Sequence, residues 1–508
     1  MHVVALRTVT IADIIRRNAQ LFPEGTALIF GDQRVSHRDY LMRVERLAAG
    51  LAACGIVAGD RVAVVARNRP EYADLCGAIA WLGAILLPVN WRLSAQEIAY
   101  VLADGDPKVV IADGEDQPAI AAMSGSLSAA TGFYGLDDHQ HPFRSFTELT
   151  ALAGPAPRID RAVEHGYVMI HTAAVDGRPR GALLSQFGLI AAGAQLLRYW
   201  QLDERDVGVL AVPLFHVAGL GLLITLQLAG AAALILPKFE PQLAARQIEI
   251  EKATVFTEFA PMLKSLLDKA EEIGADLGSL RMVTGLDTVE TIGRFEAAYP
   301  KGRFWAAYGQ SEVSGIATMA PWRQRPGSAG RPMFLNIVAV VDERDEVLPP
   351  DQIGEIVVRG PTVFHGYWRR DDDNVSTFRN GWHHTGDMGR LDHDGYLWYA
   401  GRSPAKELIK TGGENVYPAD VEKVIGEHSA IAEVVVIGVP DPQWGEAIKA
   451  VCVCRSGREL AAPDLIDFVA SKVARFKKPK YVVFVDALPK TATGAPDRAK
   501  VKQAHGSG

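Results

Sequence analysis

The chain is poor in cysteine: Cys54, Cys76, Cys452 and Cys454 are the four in 508 residues. That number builds no disulfide framework. Cys452 and Cys454 alternate inside an apolar run, which places both on one face of a strand, and no Cys or His set stands at the spacing of a zinc finger. Excess charge is also missing. A net charge of −7 gives no general pull towards nucleic acid or an anionic membrane. Long hydrophobic runs are scarce, with one exception at residues 217–236, VAGLGLLITLQLAGAAALIL, twenty residues without a charge. That length could span a bilayer. Gly230 splits it into a helix-like and a β-like part, and Pro237 ends it, so a buried helix followed by a buried strand is expected and no integral membrane association. The N-terminus, MHVVALRTVTIADIIRR, lacks a long apolar core and a small-residue cleavage site. No signal peptide is expected, and a cytoplasmic location follows.

What is present is a globular composition, 48% hydrophobic and 22% charged, in a chain too long for one core. Residues 10–20 read as an amphipathic helix, and residues 27–30 and 33–36 as a hairpin around Gly31-Asp32. Ser36 caps a helix over 38–54, and Ser94 caps another reaching residue 102. Short apolar strands (61–66, 84–88, 108–112) alternate with these helices, which argues a parallel sheet covered on both faces. The pattern returns from Tyr167 to about Arg303. From residue 336 to 359 two β runs flank DERDEVLPPDQIG, as in a smaller antiparallel unit. After residue 418 come a helix (419–428), strands (434–439, 447–454), a helix (462–475) and a strand (481–485). The fold class expected is α/β: a large N-terminal domain of stacked αβ subdomains with a small β subdomain, residues 1–400, then a small α+β domain, residues 401–508. Between them GRSPAKELIKTGGENVYPADVE, residues 401–422, holds a charged segment and a Gly pair. By itself it reads as a linker with a Gly turn.

Several short stretches could carry chemistry. HTAAVDGRPRG, residues 171–181, reads as strand, loop and helix, an arrangement that can cradle phosphate; an ordinary connection fits it as well. YGQSE, residues 308–312, offers a flat ring at Tyr308, an open backbone at Gly309 and hard oxygens at Ser311 and Glu312 of the kind Mg²⁺ uses beside phosphates; a capped turn is the plain alternative. In HTGD, residues 384–387, the carboxylate of Asp387 follows a Gly turn and could accept both hydroxyls of a ribose, with Arg402 fifteen residues on.

Taken in order, phosphate loop, YGxSE, TGD, GR, GGENVYP and PKTATG (residues 489–494) resemble the AMP-forming acyl-CoA synthetases of the adenylate-forming superfamily, over nearly the whole chain. The resemblance implies two half-reactions. A carboxylate attacks the α-phosphate of Mg-ATP to give an acyl-adenylate and pyrophosphate; CoA thiol then attacks the acyl carbon and AMP leaves. It implies ATP, Mg²⁺ and CoA, a mobile C-terminal domain turning on a hinge near residues 402–410, and a hydrophobic fatty or aryl acid, with no nucleic-acid partner and a homodimer admitted. By matching motif, Thr172, Gly177 and Arg178 stand in the phosphate loop with Arg180 in its lysine position, Tyr308 and Gly309 at adenine, Ser311 at the α-phosphate and Glu312 at Mg²⁺. Asp387 and Arg402 hold ribose, Gly285 lies near adenine, His216 of PLFH gates the acyl pocket (or is a core histidine), Glu407 is the hinge residue, and Gly412 and Gly413 line the pantetheine channel. Phe215, Trp305 and Tyr308 suggest an apolar or aromatic pocket. The basic run KVARFKKPK, residues 472–480, is a candidate landing site for CoA phosphates or a solvated helix end.

Two departures fall on the first half-reaction. In the phosphate loop Ala173 and Val175 replace hydroxyl residues and Asp176 adds negative charge, a repulsion on the order of a few kcal/mol at close range that Arg178 and Arg180 can offset. After PKTATG, where the family places a lysine, stands Ala495. Losing one such donor typically costs about 3–4 kcal/mol, or roughly 10²–10³ in rate. Lys406, Lys490 and Lys500 are the conceivable substitutes. The expected activity is an acid–CoA ligase with slowed adenylation. The alternatives are a homologue that binds nucleotide or acyl-CoA without adenylating, or one that adenylates but transfers elsewhere. Ala495→Lys is expected to raise acid-dependent ATP–pyrophosphate exchange by roughly 10²-fold or more; an unchanged rate would mean that another group already serves.

Overall fold

A computed structural model describes residues 9–127, 132–151, 156–157, 165–172, 179–402, 408–412, 414–441, 443–491 and 496–506. Four sheets organise them. A nine-stranded sheet runs, edge to edge, through 331–332, 318–321, 303–308, 282–286, 255–259, 207–210, 232–235, 26–30 and 33–36. A seven-stranded sheet runs through 144–145, 132–135, 109–112, 61–65, 85–88, 166–172 and 180–185. The inner strands of both are parallel. They are mostly apolar, as expected where both faces are covered, with Glu258 of the strand Val255–Phe259 an exception.

The helices between the two sheets form the largest core, which includes Val44, Leu47, Tyr72, Ile79, Leu220 and Leu223. The helix Val217–Ala229 is buried nearly all round; Gly230 ends it in the left-handed region and Ala232–Ile235 continues as a strand. The charge-free run is therefore internal core. Among the described residues no helix is long and apolar enough to cross a membrane. The capping expectations hold: Ser36 and Ser94 accept from Asp39 N and Glu97 N, and helices His37–Ala53 and Ala95–Gly105 follow. The hairpin around Gly31-Asp32 is present. Cys452 is buried and Cys454 packs against the same core.

The third sheet, 337–341, 354–359, 382–391, 378–379 and 397–402, is antiparallel. The fourth is built from 409–411, 414–416, 431–441, 445–454 and 481–484, with helices Pro418–Gly426 and Ala462–Ala470.

Three readings change. Residues 166–172 and 180–185 form an antiparallel hairpin, with Ile170 opposite Ala182 and Thr172 opposite Arg180. The helix starts only at Gln186, where Ser185 accepts from Gly188 N at 2.9 Å. Residues 173–178, outside the described residues, therefore stand between two strands, because Gly181, Ala182 and Leu184 pair before any helix begins. HTGD lies inside the ten-residue strand Trp382–Leu391, where Gly386 at φ 72° bends the strand without ending it. The helix expected over 462–475 stops at Ala470, since the following residues are drawn towards the large domain by Lys477.

Backbone approach in the first layer is close enough to exclude a methyl group. A Cβ on Gly50 would lie 1.8 Å from the Leu149 carbonyl oxygen, whereas one on Gly125 would meet nothing within 4 Å. Gly50→Ala is expected to cost about 1–3 kcal/mol and lower the thermal unfolding temperature, while Gly125→Ala leaves it in place; equal temperatures would show that the two segments separate freely.

Candidate active site

The parallel strands of the nine-stranded sheet end together, and a cavity of about 980 Å³ opens at their C-terminal ends, the usual place for a ligand in open α/β sheets. Its walls come from strand ends (Thr257, Glu258, Thr284, Gly285, Tyr308), from the helices 186–200 and 217–229, and from the small domain through Lys410, Asn415, Tyr417 and Trp444.

One carboxylate gathers the polar end. Asp387, 2% exposed, accepts from Tyr308 Oη at 2.9 Å and from Gln310 Nε2 at 2.6 Å on Oδ2. Its Oδ1 accepts from Tyr399 Oη at 3.4 Å and lies 3.2 Å from Arg402 Nε. Strand register sets this arrangement, because Asp387 is directly opposite Arg402. Burial, then the Asp387 charge, pushes the Tyr308 hydroxyl well above its usual range. For Arg402 burial opposes the charge, but Asp387, Tyr417 and Tyr399 outweigh it and raise the pKa. Arg402 also donates to Tyr417 Oη at 3.3 Å, reaching the small domain. The rings of Tyr308 and Tyr399 stack at 6.1 Å.

Beside this lies Glu312, whose Oε1 accepts from Thr172 Oγ1 at 3.1 Å and from Tyr367 Oη at 2.9 Å. The Arg180 guanidinium sits 4.0 Å from the Tyr367 ring centroid and pairs with Asp373 at 3.2 Å. Thr172, Arg180, Ser311 and Glu312 all line the cavity. Among the described residues no group of three or more His, Cys, Asp or Glu could hold a metal ion. A cation here would use Glu312 together with ligand phosphates and water, the coordination that suits Mg²⁺.

His216 caps the helix Val217–Ala229 by accepting from Ala218 N at 3.1 Å and meets Phe259 edge to face at 5.3 Å. It is half-buried and also lines the cavity. Burial, then the Arg92 charge, lowers its pKa to about 4. A Cβ on Gly309 would stand 1.7 Å from the Gly315 carbonyl oxygen, and Gly412, at φ 57°, lies against the Trp444 ring; both positions need glycine. Gly177, Arg178, Glu407, Gly413 and Ala495 lie outside the described residues.

The structure adds contacts that sequence reasoning missed. Glu414, inside GGENVYP, accepts from Arg92 at 2.9 Å and from Asn90 at 3.3 Å across the domain boundary. Glu97 pairs with Lys477 at 2.6 Å and accepts from Ala474 N at 3.1 Å. Lys477 also pairs with Asp420 at 3.1 Å and is buried. That removes it from a surface landing site, while Arg475 and Lys478 of the same run are exposed. Lys490 pairs with Glu433 and Lys500 with Asp497; neither lines the cavity, whereas Arg180, Arg402, Lys410, Arg498 and Lys502 do. Phe215 and Trp305 are not in its walls; the apolar surface comes from Leu196, Trp200, Leu222 and Phe259. Glu258 is fully buried in the strand Val255–Phe259. Its only signal in the sequence is an acid in an otherwise apolar strand.

The AMP-binding enzyme family model matches residues 15–368, and the model of the AMP-binding enzyme C-terminal domain matches residues 420–495. The indoleacetate–CoA ligase of Aromatoleum aromaticum is 35% identical over 500 residues, 97% of this chain and 98% of its own. The feruloyl-CoA synthase of an Amycolatopsis species is 32% identical over 497 residues, 96% and 98% of the two chains. A solved double mutant of Bacillus subtilis o-succinylbenzoate CoA synthetase, bound with its product analogue, matches with a TM-score of 0.84 at 27% identity, over 96% of this chain and 98% of that one.

His216 is expected to stay neutral across the physiological range. Its ring C–H resonance should titrate with a midpoint near 4; a midpoint at the ordinary value of about 6.5 would mean that the ring faces bulk water.

Proposed function

The chain belongs to the AMP-binding enzymes, and from that premise we propose that it is an AMP-forming acyl-CoA synthetase acting on a hydrophobic aryl or fatty acid. The observation that carries the reading is the cavity that Glu312, Arg402 and the small-domain residues Lys410 and Asn415 line together, with Asp387 holding Tyr308 and Arg402 at its edge. Relatives named for indoleacetate and ferulate favour an aryl acid.

In this reading Asp387 and Arg402 accept and fix the ribose, and the Tyr308 ring carries the base. Thr172, Ser311 and Arg180 face the phosphates, with the described part of the phosphate hairpin as their support. Mg²⁺ held at Glu312 would neutralise phosphate charge. A carboxylate oxygen attacks the α-phosphorus and the bond to pyrophosphate breaks. The thiol sulfur of CoA then attacks the acyl carbon, the carbon–oxygen bond to AMP breaks, and the thiol proton passes to solvent. The neutral ring of His216 and the edge of Phe259 border the acyl group, whose tail runs between the helices 186–200 and 217–229. The Arg92–Glu414 pair and the Glu97–Lys477 pair support a pose in which the Gly412 hairpin faces the cavity, as thioester formation requires. The small domain is taken as residues 401–508, turning near residues 402–410, in the cytoplasm.

A second reading, a homologue with weakened adenylation, is supported by Ala495 and by the ion pairs of Lys490 and Lys500 away from the cavity. The test is ATP- and CoA-dependent thioester formation across aryl and fatty acids. Product with hydrophobic acids is expected, and Asp387→Ala should lower nucleotide affinity at least tenfold, since a hydrogen bond to a charged group contributes about 1.5–3 kcal/mol. No product from ATP, together with none from a supplied acyl-adenylate, would overturn the ligase.

A further inference from the structure

Glu258 belongs to the strand Val255–Phe259, VFTEF, and side chains along a strand alternate between faces. Register places Glu258 opposite Gly285 and Gly285 opposite Ala306. Tyr308 lies two residues beyond Ala306 on the same strand, so its side chain leaves the same face. On that face the row reads carboxyl, bare backbone, methyl, and then the ring that carries the base in the reading above. Neighbouring strands are about 4.8 Å apart, so Glu258 and Tyr308 stand on strands roughly 10 Å apart, with the Glu258 carboxyl reaching over Gly285 towards the ring. A Cβ on Gly285 would lie 2.0 Å from the Glu258 carbonyl oxygen and 2.5 Å from its Oε1, so this floor admits only glycine. Glu258, Gly285 and Tyr308 all line the cavity.

The carboxyl itself lacks a partner. Glu258 is 0% exposed and neither oxygen makes a hydrogen bond. The N–H groups of Leu263 and Leu286 are near enough to ease the burial but complete no bond of good geometry. Burial first, and the charge of Asp287 second, hold Glu258 well above the usual carboxylate range, which favours the protonated form. Asp287 is engaged through Oδ1 with Thr288 N at 2.6 Å, and its Oδ2 is also buried without a partner. A buried polar group left unpaired costs about 1–3 kcal/mol, which a ligand can recover. A neutral carboxyl offers an O–H donor and a carbonyl acceptor side by side. An Asn or Gln amide uses the same pair of groups to read the amine of adenine and an adjacent ring nitrogen.

We propose that Glu258 reads the amino edge of the nucleotide base, accepting from the exocyclic amine and donating to a neighbouring ring nitrogen while Tyr308 holds the flat face. The proposal rests on the reading of Tyr308 as the base platform. The test is binding of AMP and of purine riboside 5′-monophosphate, which lacks the amine, measured by calorimetry on the full chain. Wild type should prefer AMP by about tenfold or more. Glu258→Leu should bring the ratio towards one, with the larger loss on AMP. Glu258→Gln, which keeps a donor and an acceptor, should retain most of the preference. Equal binding by wild type, or an unchanged ratio in Glu258→Leu, overturns the proposal. Should Glu258→Leu fail to fold, difference infrared spectra serve: the protonated-carboxyl band should shift further with AMP than with the purine analogue and be absent in Glu258→Gln, and an equal or absent shift overturns the proposal. Thioester formation is read separately. Thioester without base discrimination refutes this inference alone, and discrimination without thioester refutes the ligase alone.

Discussion

A buried carboxylate must be compensated on every side, and Asp387 is where this molecule meets that requirement. Taking such a charge out of water costs several kcal/mol unless geometry and hydrogen bonds return it. Here the return comes from four directions: Tyr308 at the end of the nine-stranded sheet, Gln310 in the turn after it, Tyr399 and Arg402 on the neighbouring strand of the third sheet. Each partner is thereby fixed in orientation. Because Arg402 continues to Tyr417, the same carboxylate links the large domain to the small one. The ligand-facing geometry depends on this junction.

Close backbone approach completes the junction. Gly309 against Gly315, Gly285 against Glu258 and Gly412 against Trp444 each leave no space for a side chain. Around them the polar groups are arranged unevenly. The side facing the small domain carries intact pairs, Arg92 with Glu414 and Glu97 with Lys477. In the sequence Ala495 follows PKTATG, and no hydroxyl stands among residues 173–178.

Much of the architecture was legible in the residues. The alternation of short apolar strands with capped helices carried the parallel sheets, because strand burial on both faces leaves a run with no polar period, and Ser36 and Ser94 announced their helices through local hydrogen bonds. The charge-free run at 217–236 was correctly divided by Gly230, whose left-handed conformation is a property of glycine. Local reasoning failed where pairing is long-range. Residues 180–185 extend because they pair with 166–172, and HTGD is strand because Val357 stands opposite His384 and Arg402 opposite Asp387.

The candidate site divides along the same line. The residue types at Tyr308, Glu312, Asp387, Arg402 and Gly412, and their order along the chain, are written in the sequence, since their chemistry needs those side chains wherever they fall. That Tyr308 and Arg402 meet on Asp387 depends on register between strands far apart in the chain. The pairing of Glu414 with Arg92, the withdrawal of Lys477 from the surface, and the unpartnered carboxyl of Glu258 depend on it as well. An isolated glutamate in an apolar strand has no meaning until the neighbouring strand is known to present a bare glycine, because burial and hydrogen-bond supply are properties of the packed chain.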